Sequence, residues 1–251
     1  MKEHNESPEL IELRQLVQLL NNKVLDLKFR FSIWQSMDNQ ELTDRHNKKL
    51  RGHVYGYIKN SLLICCFLDI ANLGKDEHSD FKPLSLVDIK NHISNSNVEN
   101  QLLAQLQNKK IDIDFNGNTP PDNVVNELAS KRRAENISYF NSSLITLNKK
   151  FKDSNFNHNL KKLWNIRSKI VAHNELVVDN GQLNFFDISV YGLKWEDISL
   201  LIKDLEEITQ LLFAIVENSD LQFSTIESDI EASISDFWKP FLKQPLAAPS
   251  A

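Results

Sequence analysis

Leu163-Trp164-Asn165-Ile166-Arg167-Ser168-Lys169-Ile170-Val171-Ala172-His173-Asn174-Glu175 begins as an amphipathic helix, carries an arginine beside its apolar stripe and ends at a histidine. At 100° per residue, Ile166, Ile170 and Asn174 fall within about 60° of Leu163, and Arg167 lies at about 40°. Arginine is rarely buried without a partner, so this placement asks for an acid on a neighbouring helix or for an anionic ligand. His173 follows about 9 Å further along a continuous helix and is turned away from Arg167 by about 120°. The two side chains converge only if the helix ends near Ala172, or if two copies of the segment face each other.

The flanking sequence carries the same helical period. Only 6 glycines and 7 prolines punctuate 251 residues, which favours long helices. Ser7-Pro8 reads as an N-cap with proline at the first helical position. Leu10, Leu13, Val17, Leu20, Val24, Leu27, Phe31 and Trp34 then form a narrow seam, a candidate dimer surface. A second helix carries Leu50, Val54, Tyr57, Ser61, Ile64, Leu68 and Ala71 up to Gly74. Its Leu62–Leu68 section is apolar almost all round, which marks it as central. Ser85-Leu86-Val87-Asp88 resembles a capping box opening a short helix to about Ser94, and another helix covers Val98 to Gln107.

Beyond a loop from Lys109 to Asn123, a helix runs from near Asp122 to about Lys152. Its seam is Ile137, Phe140, Leu144, Leu147 and Phe151, with Lys131-Arg132-Arg133 exposed. Asp153 or Ser154 caps the helix of the opening stretch. After His173 the period changes, and Leu176-Val177-Val178, Asp179-Asn180-Gly181 and Leu183-Asn184-Phe185-Phe186 read as a small β-hairpin. A strong helix follows over Ile198, Leu201, Leu205, Ile208, Leu212 and Ile215, then a weaker one from Thr225 to about Leu242 and a loose tail. The expected fold is an all-α bundle of long antiparallel helices with a hairpin near 176–186. The expected division is a helical domain over 1–222 and an acidic helical extension with its tail over 223–251.

Charge is unevenly spread. From Lys149 to Lys169 seven basic residues face one acid, so the window is +6 in a chain of net −5. From Glu196 to Asp236 eleven acids face Lys203 alone, a balance of −10. A local basic stretch on an acidic chain suits either a phosphate-bearing ligand or a solvated charged face. Adjacent Cys65 and Cys66 point about 100° apart on a helix and read as buried thiols rather than a bridge, as in a reducing cytoplasm. Met1 to Leu10 lacks the apolar core of a signal peptide, and no apolar run approaches the roughly 18 residues of a membrane span. The expectation is a soluble cytoplasmic protein.

Several chemistries lack their motifs. No P-loop, Gly-x-Gly-x-x-Gly or Gly-x-Ser-x-Gly occurs, and the histidines form no His-Glu-x-x-His or paired Glu-x-x-His pattern. No cofactor and no metal site is expected; His46 and His53 share a helix face but make only two ligands.

Arg167 and His173, separated by five residues near the end of a late bundle helix, match the R-x4-6-H motif of the HEPN superfamily. The run Arg167-Ser168-Lys169-Ile170-Val171-Ala172-His173-Asn174 most resembles the abortive-infection AbiU branch. The helix from Tyr57 to Leu73, a short loop and then Ser85-Leu86 resemble the same branch. The resemblance covers roughly residues 10 to 215 and implies a helical bundle that dimerises with its motifs across a shared cleft. Many members of the superfamily are metal-independent endoribonucleases.

On that resemblance Arg167 and His173 are the candidate catalytic residues, in a toxin or phage-defence setting. Ser168, Lys169, Lys161, Lys162, Lys149 and Lys150 are candidate RNA-binding residues for a tRNA or mRNA. Ser168 departs from the Asn, Asp or His often found after the arginine, and Glu175 places a negative charge beside the site. An antitoxin or regulatory protein is a further expected partner. The alternative reading is a non-catalytic module that binds RNA or protein, or dimerises; a plain scaffold docking a basic partner is a third. The acidic segment is also a candidate regulator folding over the basic cleft. Trp164 and Phe156 lie beside the lysines, where stacking on bases is one reading; at these spacings both read as core.

Overall fold

The long helices start where their caps place them. Ser7 Oγ accepts the Leu10 backbone N–H at 3.2 Å, and Pro8 opens α1 (Pro8–Ser36). Ser85 Oγ likewise accepts from the Val87 N–H at 3.1 Å to start α3 (Leu86–Ile93). The other elements of this computed structural model are α2 (Leu50–Gly74), α4 (Ser96–Asn108), α5 (Asp122–Phe151), α6 (Ser154–His173), α7 (Trp195–Val216) and α8 (Phe223–Lys243). The structure describes residues 6–37, 50–74, 84–108, 121–173, 177–179, 182–184 and 194–243. Residues 38–49, between α1 and α2, and most of the Lys109–Asn123 loop lie outside the described residues.

Between α6 and α7, β1 (Val177–Asp179) pairs antiparallel with β2 (Gln182–Asn184), Val178 opposite Leu183. This is the expected hairpin; Leu176, the Asn180-Gly181 turn, Phe185 and Phe186 are outside the described residues. The fold is therefore an all-α bundle carrying one two-stranded ribbon.

The core forms around α1. Leu10, Leu13, Val17, Leu20, Val24 and Leu27 are fully buried, and α1 packs against α2 and α7 most closely and against α3, α4 and α8 as well. The seam from Leu10 to Trp34 is thus the inside of this chain and not the dimer surface its spacing suggested. A 3,4 seam fits a helix of the same chain as well as one of another copy.

Val54–Gly74 in α2 is by length and composition apolar enough to cross a membrane, although no uninterrupted apolar run in it is long. Here it packs against α1 and α6, and its buried Asp69 is paired with Lys23 (2.6 Å) and Arg30 of α1. Cys66 is buried, whereas Cys65 is exposed, correcting the reading of two buried thiols. Neighbouring helical positions point to different faces, and among the described residues only the Cys66 face is covered. Gly74 ends α2 against α6, where a methyl group on Gly74 would stand 3.7 Å from Leu160 Cδ2. Leu160 lies early in α6 and Gly74 is the last residue of α2. The long interface the two helices share therefore runs antiparallel.

Candidate nucleic-acid interface

Asp153 starts α6. Its carboxylate accepts the backbone N–H groups of Asn155 (2.8 Å) and Phe156 (3.0 Å), satisfying two donors that the first turn would leave unpaired. Those two hydrogen bonds, Phe156 foremost, hold the Asp153 pKa below the usual 3.8. The helix buries Phe156, Leu160, Leu163 and Ile166 and turns Lys161, Trp164, Asn165 and Ser168 outward. Lys162 and Arg167 are half-buried.

Phe156 is core, as its spacing suggested, but Trp164 is 40 % exposed and is not. The buried positions of α6 from Leu160 to Ile166 span about 60° to either side of Leu163, and Trp164 falls outside them at about 100°. Ser168 Oγ donates back to its own helix, to the carbonyl oxygens of Asn165 (2.9 Å) and Trp164 (3.3 Å).

The helix is continuous through His173. The backbone of His173 therefore stands about 9 Å beyond that of Arg167 and about 120° around the axis. Of the two ways sequence geometry left for Arg167 and His173 to converge, an earlier helix end is removed, because α6 does not stop at Ala172. The side chains of Lys169 and His173, and Asn174 with Glu175, lie outside the described residues.

The lysines at the end of α5 divide into two environments. Lys149 is exposed. Lys150 is held by α7, with Nζ 2.8 Å from Asp204 Oδ1 and 2.5 Å from Glu207 Oε2. Burial alone would lower the Lys150 pKa, but the hydrogen bonds it donates to Asp204 and Glu207 outweigh it and leave the pKa above 10.5. The acidic C-terminal segment thus meets the basic window at Lys150. Its last helix lies elsewhere: Phe223, Ile230 and Ile234 of α8 are buried, α8 packs against α1, and Trp238 Nε1 donates to Ser36 Oγ at 2.9 Å.

A cation that the sequence reading passed over lies at that junction. Lys28 of α1 is only 6 % exposed; its Nζ is 2.7 Å from Glu206 Oε1 and 5.8 Å from the centre of the Phe223 ring. The signal was available, since Lys28 follows Leu27 and precedes Phe31 on the same stripe as Val24. It borders an open cavity of about 450 Å³ lined also by Tyr139, Glu206, Asp220 and Glu227, to which α6 contributes no residue. Among the described residues no cluster of three or more histidine, cysteine or acidic side chains is placed to hold a metal.

Residues 10–237 match the model of a HEPN family described as AbiU2. That match extends through most of α8, beyond the residue near 215 where the resemblance read from sequence stopped. No curated protein and no solved structure matches the chain.

Proposed function

The chain belongs to the HEPN AbiU2 family, and from that premise we propose that it is a metal-independent endoribonuclease of the abortive-infection type, working as a homodimer in the cytoplasm. The observation that carries this reading is α6 itself. It is an uninterrupted helix of 20 residues, free of acids, that leads from Lys161 and Lys162 past Arg167 to His173 inside the family match.

In the proposed reaction the ribose 2′-oxygen attacks the adjacent phosphorus and the bond from phosphorus to the 5′-oxygen breaks. The products are a 2′,3′-cyclic phosphate and a 5′-hydroxyl. Imidazole titrates near neutrality, so His173 accepts the 2′-OH proton or delivers one to the departing 5′-oxygen. Arg167 keeps its charge and forks onto the phosphate oxygens, where negative charge builds up. One continuous helix separates these residues, so a second copy facing the first completes each site. Lys161, Lys162, Lys149 and Lys169 hold flanking phosphates without reading sequence. Lys150 joins them by exchanging Asp204 and Glu207 for phosphate, and Ser168 by turning its hydroxyl away from its own backbone.

The test is incubation of the purified protein with total RNA and with a tRNA pool in chelator, beside His173→Ala and Arg167→Ala. The expected result is fragments ending in 2′,3′-cyclic phosphate from the unmodified protein alone, with both variants folded and inactive. RNA bound but left intact would assign the chain to the non-catalytic binding class instead.

A further inference from the structure

Trp164 is the feature of α6 that packing does not account for. Its neighbours Leu163 and Ile166 are each 1 % exposed and supply the core face, while Trp164 is left 40 % exposed. Lys161 lies one turn before it, Arg167 one turn after, and Ser168 about 6 Å along the same outward side. The whole helix carries Lys161, Lys162, Arg167 and Lys169 and no acid, so whatever covers this face is favoured if it is anionic.

We infer that Trp164 is a stacking platform for an unpaired nucleobase of the bound RNA; this rests on the ribonuclease reading above. An indole on a helix face offers its π-surface to any base that is free to lie on it, while flanking cations take the phosphates. A duplex keeps its bases stacked inside and presents phosphate and 2′-hydroxyl groups, which gives the lysines contacts and the indole none. Trp164 therefore selects strandedness, and Lys161 does not. The platform is a turn from Arg167, so stacking also fixes which phosphodiester is presented to the arginine.

The experiment uses the full chain carrying His173→Ala, so that RNA stays intact, with a labelled unstructured oligoribonucleotide and the same sequence in a duplex. Adding Trp164→Ala weakens single-strand binding by roughly tenfold and leaves duplex binding unchanged. Trp164→Phe recovers part of the loss, and Lys161→Ala weakens both forms alike. Single-strand binding unaffected by Trp164→Ala overturns the platform while leaving the RNA reading intact. No binding of either RNA by any variant overturns both. Indole emission that shifts with protein concentration, without RNA and only when Trp164 is present, assigns this face to a second copy and overturns the platform.

Discussion

α1 and α6 are built from the same spacing of apolar residues and serve opposite ends. In α1 every seam position from Leu10 to Leu27 is fully buried, and five helices pack around it. In α6 the buried positions follow the same period, yet packing against α2, α5 and α7 leaves an outward side of Lys161, Trp164, Asn165 and Ser168. The cations repeat the contrast: Lys28 on α1 is enclosed with Glu206 against Phe223, and Arg167 on α6 is half-buried. Apolar period alone reports that a helix has a partner. It does not report how many faces are covered.

Truncating the core side of α1 is the largest expected effect on stability. Leu20→Ala removes a fully buried side chain and should cost about 4 kcal/mol in chemical denaturation. Lys161→Ala on the outward side of α6 should stay within about 0.5 kcal/mol; comparable losses at the two positions would erase the distinction between the helices. Lys28→Ala comes next, at about 3 kcal/mol, because it strands the Glu206 carboxylate in a largely enclosed site. Replacing Lys28 and Glu206 together by methionine should recover most of that loss, and failure to recover would mean that Lys28 acts through its stem rather than its charge.

The smallest effect is on the two cysteines, which sharpen the same contrast within α2. A thiol reagent at neutral pH should modify Cys65 in the native protein and reach Cys66 only on unfolding. Burial, with the Asp69 charge nearby, pushes the Cys66 thiol from 9.0 up to about 12. An acid whose pKa is raised by folding leaves stability intact below pH 9.0, and that contribution falls as the pH climbs toward 12. Cys66→Ala should flatten this alkaline loss in a pH series of denaturation midpoints, and an unchanged slope would place its origin elsewhere.

Much of the architecture was legible because it is locally encoded. Ser7-Pro8, Ser85 and Asp153 each cap the helix their chemistry announced, and the seam of α5 is buried at Phe140, Leu147 and Phe151. The change from helical period to short alternating runs after His173 marked the hairpin. Less of the candidate site could be read. Arg167 and His173 are visible as a spaced pair, but spacing along one helix also sets them a third of a turn apart. Trp164 was read as core because a hydrophobic residue beside Leu163 usually is. Lys28 was passed over because its counter-charge, Glu206, lies far along the chain.

By itself the sequence determined which segments become helices, where they start, and that a basic helix ending in arginine and histidine stands apart from an acidic C-terminal stretch. These follow from backbone capping, side-chain period and fixed charge, all properties of residues within a few positions of one another. Only the tertiary structure decided that α1 lies at the centre rather than on a dimer surface, that Lys150 is held by α7, and that Trp164 is left exposed. Those outcomes depend on which helix lies against which, and burial and ion pairing between distant segments are set by packing that no local pattern encodes.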